Sequence, residues 1–256
     1  MADFLDRIEA AVLDLRQSID FDLPDAPDFN LPDAPDFNLP DALDADLVYM
    51  AVGASDALGI GATPITNGYV FRIEDAIEDA ADTNVQLVNV AVPRATTDTI
   101  TDAVQLALQT GVEPDLVTIW VGANDLTAGI EPAEFEQELH NLLQEFDGSG
   151  ATVAIADLPD LTALPRFRED PSPNVTSERI DAFNQAIADE AGEHGAILVP
   201  LSDEVVEDRF VSDADGFHPN DAGHARIAEL FLDAIEPGLA GSDAPVATAS
   251  DLDLFA

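Results

Sequence analysis

A serine that follows a short apolar run is the first residue in this chain whose setting suggests chemistry. The run at residues 47–52 stops at Gly53, and Ser55 comes two residues later. A buried strand that ends in a glycine-bounded serine would deliver a hydroxyl nucleophile to the carboxyl edge of a sheet. An ordinary strand-to-helix turn in which Ser55 caps the helix explains the same stretch.

Two further polar segments lie at junctions between predicted strands and helices. Asn124 and Asp125 follow the apolar run at residues 116–121, and Asp215 and His218 stand three residues apart just before the last helical pattern. An amide, a carboxylate and an imidazole are the groups that can serve a serine nucleophile, provided that folding brings them to it.

The elements that must position these groups alternate regularly from residue 46 onward. Apolar runs at 47–52, 85–92, 116–121, 151–156 and 196–199 alternate with helical periodicity at 69–81, 99–109, 132–146, 177–191 and 221–235. Short continuous apolar strands between helices predict a parallel sheet covered on both faces. Ligands of such sheets bind beyond the carboxyl ends of the strands.

In this order, the serine, the Gly-x-Asn-Asp turn and the Asp-x-x-His-Pro segment resemble the SGNH (GDSL-type) hydrolase family. The similarity spans residues 46–235. The resemblance implies a three-layer α/β/α flavodoxin-like fold with a central five-stranded parallel sheet. It implies Ser55 as nucleophile, His218 as general base and Asp215 as the acid that orients the histidine. The physics agrees, because a serine hydroxyl needs an imidazole to take its proton and a carboxylate can fix the histidine tautomer.

The resemblance also implies an oxyanion hole. Asn124 would donate its side-chain amide to the oxyanion beside the backbone N–H of Ser55, with Gly53 and Gly122 as supporting glycines. The alternative is that Asn124 and Asp125 only shape a turn. We expect Asp125 to support the loop rather than to touch substrate.

Two positions depart from the family pattern. Ala54 precedes the serine where most members have aspartate, and an acid, Asp56, lies on the far side. Arg94 occupies the position of a family glycine whose backbone N–H completes the oxyanion hole. Arginine has that N–H but disfavours the backbone angles open to glycine, so either the donor persists or the hole is weakened.

Arg94, Arg166 and Arg168 all lie in segments expected to follow strand ends. One hypothesis is a cationic rim that recognises a carboxylate or phosphate of the substrate. The alternative is that these arginines pair with the surplus acids.

The chain is strongly acidic. The chain has 52 acidic residues against 9 arginines and no lysine, a net charge of −43. Such self-repulsion is tolerable mainly in strong salt, which predicts a protein from the cytoplasm of a halophile. Binding to nucleic acid or to an anionic membrane is disfavoured because both need cationic patches. No apolar run is long enough to span a membrane and no conventional signal peptide is visible.

The flanking segments divide the chain further. We predict an amphipathic helix at 1–20, an acidic proline-rich repeat spacer at 21–44, the hydrolase-like domain at 45–240 and a flexible acidic tail at 241–256. The helix is expected to pack either on the main domain or on a second copy of itself, which would make it a self-association element. His140 is expected to face solvent and His224 to be a bystander.

The sequence thus predicts a cofactor-free serine hydrolase of a small-molecule ester, thioester or amide. A binding protein with a decayed oxyanion hole and an acyltransferase are the alternatives. No metal site is expected, because the histidines lack clustered ligand spacing.

Overall fold

The computed structural model describes residues 45–81 and 83–239, and its centre is a sheet of five parallel strands. The strands follow the apolar runs: β1 Leu47–Gly53, β2 Val85–Asn89, β3 Leu116–Trp120, β4 Thr152–Ala156 and β5 Ile197–Val199. Their spatial order is β2-β1-β3-β4-β5. The predicted fold class is confirmed, since this strand order is that of flavodoxin-like sheets.

Within the described residues, seven α-helices lie between the strands or follow the last one. They are α1 Tyr69–Ala81, α2 Thr97–Gln109, α3 Ala123–Ala128, α4 Pro132–Gln144, α5 Pro165–Glu169, α6 Ser177–His194 and α7 Asp221–Leu239. Alternate residues of β1 feed two separate cores, because successive strand side chains point to opposite faces. Met50 and Val52 join the core formed with α2, α4 and α6, whereas Tyr49 and Ala51 join the core formed with α1 and α7.

The strand order reverses between β1 and β3, which lie side by side in the sheet while their connections leave toward opposite sides. This switch point is where ligands bind in open α/β sheets. Ser55 follows β1 and Asn124 follows β3, so the fold delivers both residues to the same crevice.

Several elements differ from the expected ones, and α6 and α7, for example, extend to His194 and Leu239 rather than to residues 191 and 235. Regular strand β2 ends at Asn89 rather than at residue 92, although the N–H groups of Val90 and Val92 still donate to Ala51 O (3.0 Å) and Gly53 O (3.1 Å). The Asn89 amide donates to Ala57 O (2.8 Å), and its oxygen accepts from Ala91 N–H (3.1 Å). The short helices α3 and α5 were not predicted, since five or six residues carry too little periodicity to register.

The remaining predictions concern segments near the two ends. The amphipathic helix at 1–20, the spacer at 21–44 and the tail at 241–256 lie outside the described residues. Among the described residues, no helix combines the length and the apolar character that crossing a membrane requires.

Candidate active site

The fold brings Ser55 and His218 together across 163 residues of sequence. Ser55 lies in the turn after β1 with 8% of its surface exposed, and its Oγ is 2.8 Å from Nε2 of His218. His218 stands in the loop that leads into α7. A hydroxyl within hydrogen-bond distance of an imidazole nitrogen is the arrangement that activates a serine nucleophile.

Asp215 holds the other side of the imidazole. Its Oδ2 is hydrogen-bonded to Nδ1 of His218, while its Oδ1 accepts from the backbone N–H groups of Phe217 (2.9 Å) and His218 (3.0 Å). Partial burial alone would raise the pKa of Asp215, but these hydrogen bonds favour the carboxylate more strongly and the pKa is lowered. An ionised Asp215 directs the proton of His218 to Nδ1 and leaves Nε2 to accept from Ser55.

Asn220 anchors the loop that carries His218, a role that the sequence analysis missed. Its amide donates to the carbonyls of Arg209 (2.8 Å) and Val211 (3.0 Å), and its oxygen accepts from the N–H groups of Ala222 and Gly223 at the start of α7. The side chain thus caps the helix and fixes the loop at once. An asparagine directly before a predicted helix was the available signal.

His224 is a positioning residue rather than the expected bystander. It is fully buried, its Nδ1 accepts from Tyr69 N–H (3.2 Å), and its Nε2 lies 3.0 Å from Ile60 O. Burial lowers the pKa of His224, and these two partners fit the neutral ring with the proton on Nε2. The ring therefore ties the segment after Ser55 to helix α7.

Asn124 closes the opposite side of the crevice. It lies in the first turn of α3, and its amide donates to Ala95 O at 2.8 Å, which accounts for one of its two N–H groups. Gly122 precedes α3 with φ +101°, and a Cβ there would approach the ring of Phe135 to 3.0 Å. Glycine is required at this position because the chain must leave β3 with a positive φ against a packed ring.

Arg94 keeps the backbone conformation that glycine would favour. Its φ is +63°, the only positive φ among the described non-glycine residues, and it follows Pro93 in a turn closed by Ala95 N–H to Val92 O (3.2 Å). Proline followed by a residue with positive φ is the pattern of a type II turn. The departure from glycine has therefore changed the side chain without moving the backbone out of the left-handed region.

Gly53 allows the end of β1 to pack closely. A Cβ at this position would lie 2.9 Å from the Cβ of Ala57 and 3.0 Å from Trp120 O. Asp56, beside the nucleophile, is half-buried near Trp120, and burial raises its pKa while the charge on His218 opposes the rise. Asp56 thus places an acid next to Ser55, on the opposite side from the usual family aspartate.

An apolar cleft adjoins the Ser55–His218 pair. Neighbours of both residues line it, and so do aliphatic and aromatic side chains that include Trp120, Leu161, Leu164, Phe217, Ile227 and Leu230. Its charged lining is Asp56 and the pair Glu204–Arg226, whose guanidinium donates to both carboxylate oxygens (2.9 and 3.1 Å). A smaller pocket lies between Ala95 and Asn124 and shares Asp56 and Trp120 with the cleft.

The three arginines of the hypothesised rim have different surroundings. Arg168 is paired with Asp208 at 2.7 Å. Arg166 is exposed and stacks against Phe217, the neighbour of His218, with 5.6 Å from Cζ to the ring centroid. Arg94 is exposed on its turn. The guanidinium of Arg166 thus packs on a residue of the cleft.

Comparison with known proteins decides the family. The model of the GDSL-like Lipase/Acylhydrolase family matches residues 57–226. The chain belongs to this family. The predicted resemblance is confirmed. The match begins at residue 57, just after the segment in which Ala54 and Asp56 flank Ser55 and depart from the family pattern.

Curated relatives of this GDSL-like protein are named as esterases. A GDSL-like esterase of Mycobacterium tuberculosis is 26% identical over 205 residues, which cover 76% of this chain and 63% of the relative. Esterase TesA of Pseudomonas aeruginosa is 30% identical over 132 residues, which cover 51% of this chain and 60% of the relative. The chain thus spans somewhat less than two thirds of each of these relatives.

Solved structures show the same fold. A crystal structure of TesA superposes with a TM-score of 0.61 at 24% identity and covers 74% of this chain and 98% of that one. The lipase/acylhydrolase from Enterococcus faecalis superposes with a TM-score of 0.62 at 22% identity and covers 74% of this chain and 95% of that one.

Among the described residues of this GDSL-like protein, one group of side chains has the spacing of metal ligands. It consists of His140, Glu190 and His194 and is remote in sequence from Ser55.

Proposed function

We propose that this GDSL-like protein hydrolyses carboxylic esters through an acyl-enzyme formed on Ser55. The observation that carries the proposal is the 2.8 Å contact between Ser55 Oγ and His218 Nε2, on a ring whose Nδ1 is bonded to Asp215. Membership of a lipase/acylhydrolase family and relatives named as esterases support it. A thioester or an amide would follow the same chemistry.

Acylation begins with proton transfer from Ser55 Oγ to His218 Nε2 as Oγ attacks the carbonyl carbon. The carbonyl oxygen then becomes an oxyanion, and the imidazolium that forms is stabilised by Asp215. As the intermediate collapses, the C–O bond to the alcohol breaks and His218 returns the proton to the leaving oxygen. In the second half, His218 takes a proton from water as the water oxygen attacks the acyl carbon. The C–O bond to Ser55 then breaks, and His218 returns the proton to Ser55 Oγ as the acid leaves.

The oxyanion would be held by the second N–H of the Asn124 amide and by the backbone N–H groups of Ser55 and Arg94. The bond from Asn124 to Ala95 O fixes the amide before substrate arrives, so little reorganisation is needed during the reaction. The positive φ of Arg94 supports retention of the backbone donor that glycine supplies in the family.

The cleft suits an apolar acyl or alcohol group, since its wall is mostly hydrocarbon and its Glu204–Arg226 pair is internally neutralised. We further propose that Arg166 and Arg94 favour substrates carrying a carboxylate or phosphate beyond that group, whereas Arg168 is engaged by Asp208. Comparing neutral with anionic esters in Arg166→Ala and Arg94→Gly tests this. An unchanged preference ratio in both variants would refute the rim.

A fluorophosphonate probe that reacts with activated serines tests the proposed function. In molar salt, the full chain should be labelled and should hydrolyse a panel of acyl esters, and Ser55→Ala should lose both activities while keeping its circular dichroism spectrum. Folded protein that is neither labelled nor active would instead indicate a binding module. Faster release of the acyl group on addition of an alcohol, with a new ester as product, would identify an acyltransferase.

The charge supports a further proposal about the setting. A net charge of −43 is tolerable where counterions are concentrated, as in the salt-rich cytoplasm of a halophile. Assays therefore belong at molar salt.

A further inference from the structure

Three side chains from two helices converge on one point far along the chain from the candidate active site. His140 lies on α4, and Glu190 and His194 lie one turn apart on α6. Nδ1 of His140 is 2.9 Å from Oε2 of Glu190, Nε2 of His194 is 3.1 Å from Nδ1 of His140, and Nε2 of His194 is 3.4 Å from Oε2 of Glu190. The side chains of Glu190 and His194 are 8% and 6% exposed.

The cluster lies near the amino ends of strands β4 and β5, whereas the active site lies at the carboxyl ends of the strands. His194 ends α6 just before β5 begins, and Asp147, which contacts it, lies between α4 and the start of β4. Ser55 and Asn124 instead follow the carboxyl ends of β1 and β3. A function of the cluster is therefore separate from ester hydrolysis.

The spacing of the three atoms fits one tetrahedral metal ion. Zinc binds histidine nitrogen and carboxylate oxygen at about 2.0–2.2 Å, so neighbouring ligand atoms of a tetrahedral site lie about 3.3 Å apart. The three separations of 2.9, 3.1 and 3.4 Å are within a few tenths of an ångström of that value. An ion at bonding distance from all three would stand just outside their plane, with its fourth position open.

Asp147 supplies the outer partner that such a histidine needs. Its Oδ1 is 2.9 Å from Nδ1 of His194, the ring nitrogen that faces away from the cluster. A proton held on Nδ1 by this carboxylate leaves the lone pair of Nε2 directed at His140 and Glu190. Metal-binding histidines are commonly oriented by a carboxylate in this way.

Electron-rich atoms this close together need either a shared hydrogen or a cation between them. We propose that His140, Glu190 and His194 bind a zinc-class divalent ion, with water as the fourth ligand and Asp147 orienting His194. His140, whose side chain is 29% exposed, gives solvent access to the open position. Two imidazoles and one carboxylate favour zinc, cobalt or nickel over magnesium and calcium, which prefer oxygen ligands.

The consequence for the protein is a cross-link between α4 and α6. These helices already pack through stacked rings of Phe135 and Phe183, with centroids 4.3 Å apart. An ion shared by His140 and by the last turn of α6 would join the same two helices near their C-terminal ends. Binding should therefore raise the thermal midpoint without being required for hydrolysis.

The experiment is a titration of the chelator-treated full chain with Zn²⁺, followed by calorimetry and by thermal unfolding. About 1 M KCl suppresses diffuse binding to the acidic surface. We expect one saturable site per chain, a raised midpoint, and no competition from a large excess of Mg²⁺. Co²⁺ in place of zinc should give the visible absorption of a tetrahedral complex.

Matched variants decide whether the ion is where we place it. His194→Gln and Glu190→Gln should lose the site, Asp147→Asn should bind about 10–100-fold more weakly, and His218→Ala should bind like the parent. Comparison of midpoints without metal shows whether each variant folds. Weak, multiple binding that Mg²⁺ displaces, equal binding in the folded Glu190→Gln or His194→Gln variant, or loss of the site in His218→Ala would overturn the proposal.

Discussion

The buried carboxylate of Asp125 accepts a hydrogen bond from the backbone N–H of Thr97 at 2.9 Å. Thr97 begins α2, three residues after Arg94, and Asp125 is the neighbour of Asn124. Together with the bond from Asn124 to Ala95 O, this contact fastens the turn at Arg94 to the turn at Asn124. The two segments proposed to form the oxyanion hole are therefore held as one unit, which is the supporting role expected of Asp125.

Replacement of Asp125 by alanine should loosen that unit. We expect kcat to fall about 10–100-fold, because a shift of about 1 Å in a catalytic group has effects of that size. The unpaired N–H of Thr97 should also lower the free energy of unfolding by about 1–3 kcal/mol. Asp125→Asn retains an oxygen acceptor and should recover most of both losses. Ester kinetics and denaturant unfolding measure them, and equal defects in the two variants would contradict the argument.

The alternation of strands and helices was predictable because each strand is a short apolar run. Residues of β1 such as Met50 and Ala51 are fully buried on both faces of the sheet, so the run is continuous. The element bounds were less predictable. Regular strand β2 ends at Asn89, whose side chain bonds to Ala57 and Ala91, contacts that no periodicity reveals.

The site was predictable only where short motifs carry it. Ser55 and His218 are 163 residues apart, and their partnership came from the order of family-like blocks rather than from spacing. The cluster of His140 and His194 carried no such motif. These residues lie 54 apart on separate helices, so nothing in the sequence indicates their contact. The expectations that His140 faces solvent and that there is no metal site were made without it.

Asp215→Asn should reduce kcat about 10⁴-fold with little change in fold. The amide can hold the ring through Nδ1 but favours the wrong tautomer, in which Nε2 carries the proton and cannot accept from Ser55. Asp213→Asn, an exposed neighbour with the same change of charge, is the matched control. Steady-state kinetics of the two variants measure the difference, and a similar small effect in both would remove Asp215 from the proposed mechanism.

Asn124→Ala should lower kcat about 10²–10³-fold, or about 3–4 kcal/mol of transition-state stabilisation, while leaving KM nearly unchanged. The reason is that the amide would meet a full negative charge only in the tetrahedral intermediate. Asn141→Ala, on the exposed face of α4, controls for loss of an amide. A change in KM alone would mean that Asn124 binds substrate without stabilising the oxyanion.

Glu138 should make stability depend on pH. Burial raises the pKa of Glu138, the negative charge of Asp125 adds to the rise, and together they bring the pKa to about 7. The folded state therefore binds this proton more tightly than the unfolded state, whose pKa is near 4.5. The stabilisation is complete below about pH 4.5 and is lost as pH rises through about 7.

Glu138→Gln should remove this contribution. Between pH 4.5 and pH 7.5, the free energy of unfolding of the parent should fall relative to that of the variant. Denaturant unfolding in molar salt measures both. Glu136→Gln, on the exposed face of the same helix, should give a difference that does not change with pH. A parent–Glu138→Gln difference that is flat across this range would show that the carboxyl is ionised freely in the folded protein.

Salt should stabilise the fold mainly by screening. Arg168, Arg179, Arg209 and Arg226 form ion pairs with carboxylates. Because the chain has 9 arginines against 52 acidic residues, most of the acidic charge has no arginine to pair with. The screening length falls from about 10 Å at 0.1 M salt to about 3 Å at 1 M, so the thermal midpoint should rise steeply over that interval and then level off. Exclusion of salt from the surface would instead continue to raise it beyond about 1 M, and more in sulfate than in chloride. A thermal midpoint that is flat from about 0.1 to 3 M KCl would contradict salt adaptation. A rise below about 1 M that is the same for chloride and nitrate would identify screening as the cause of the stabilisation.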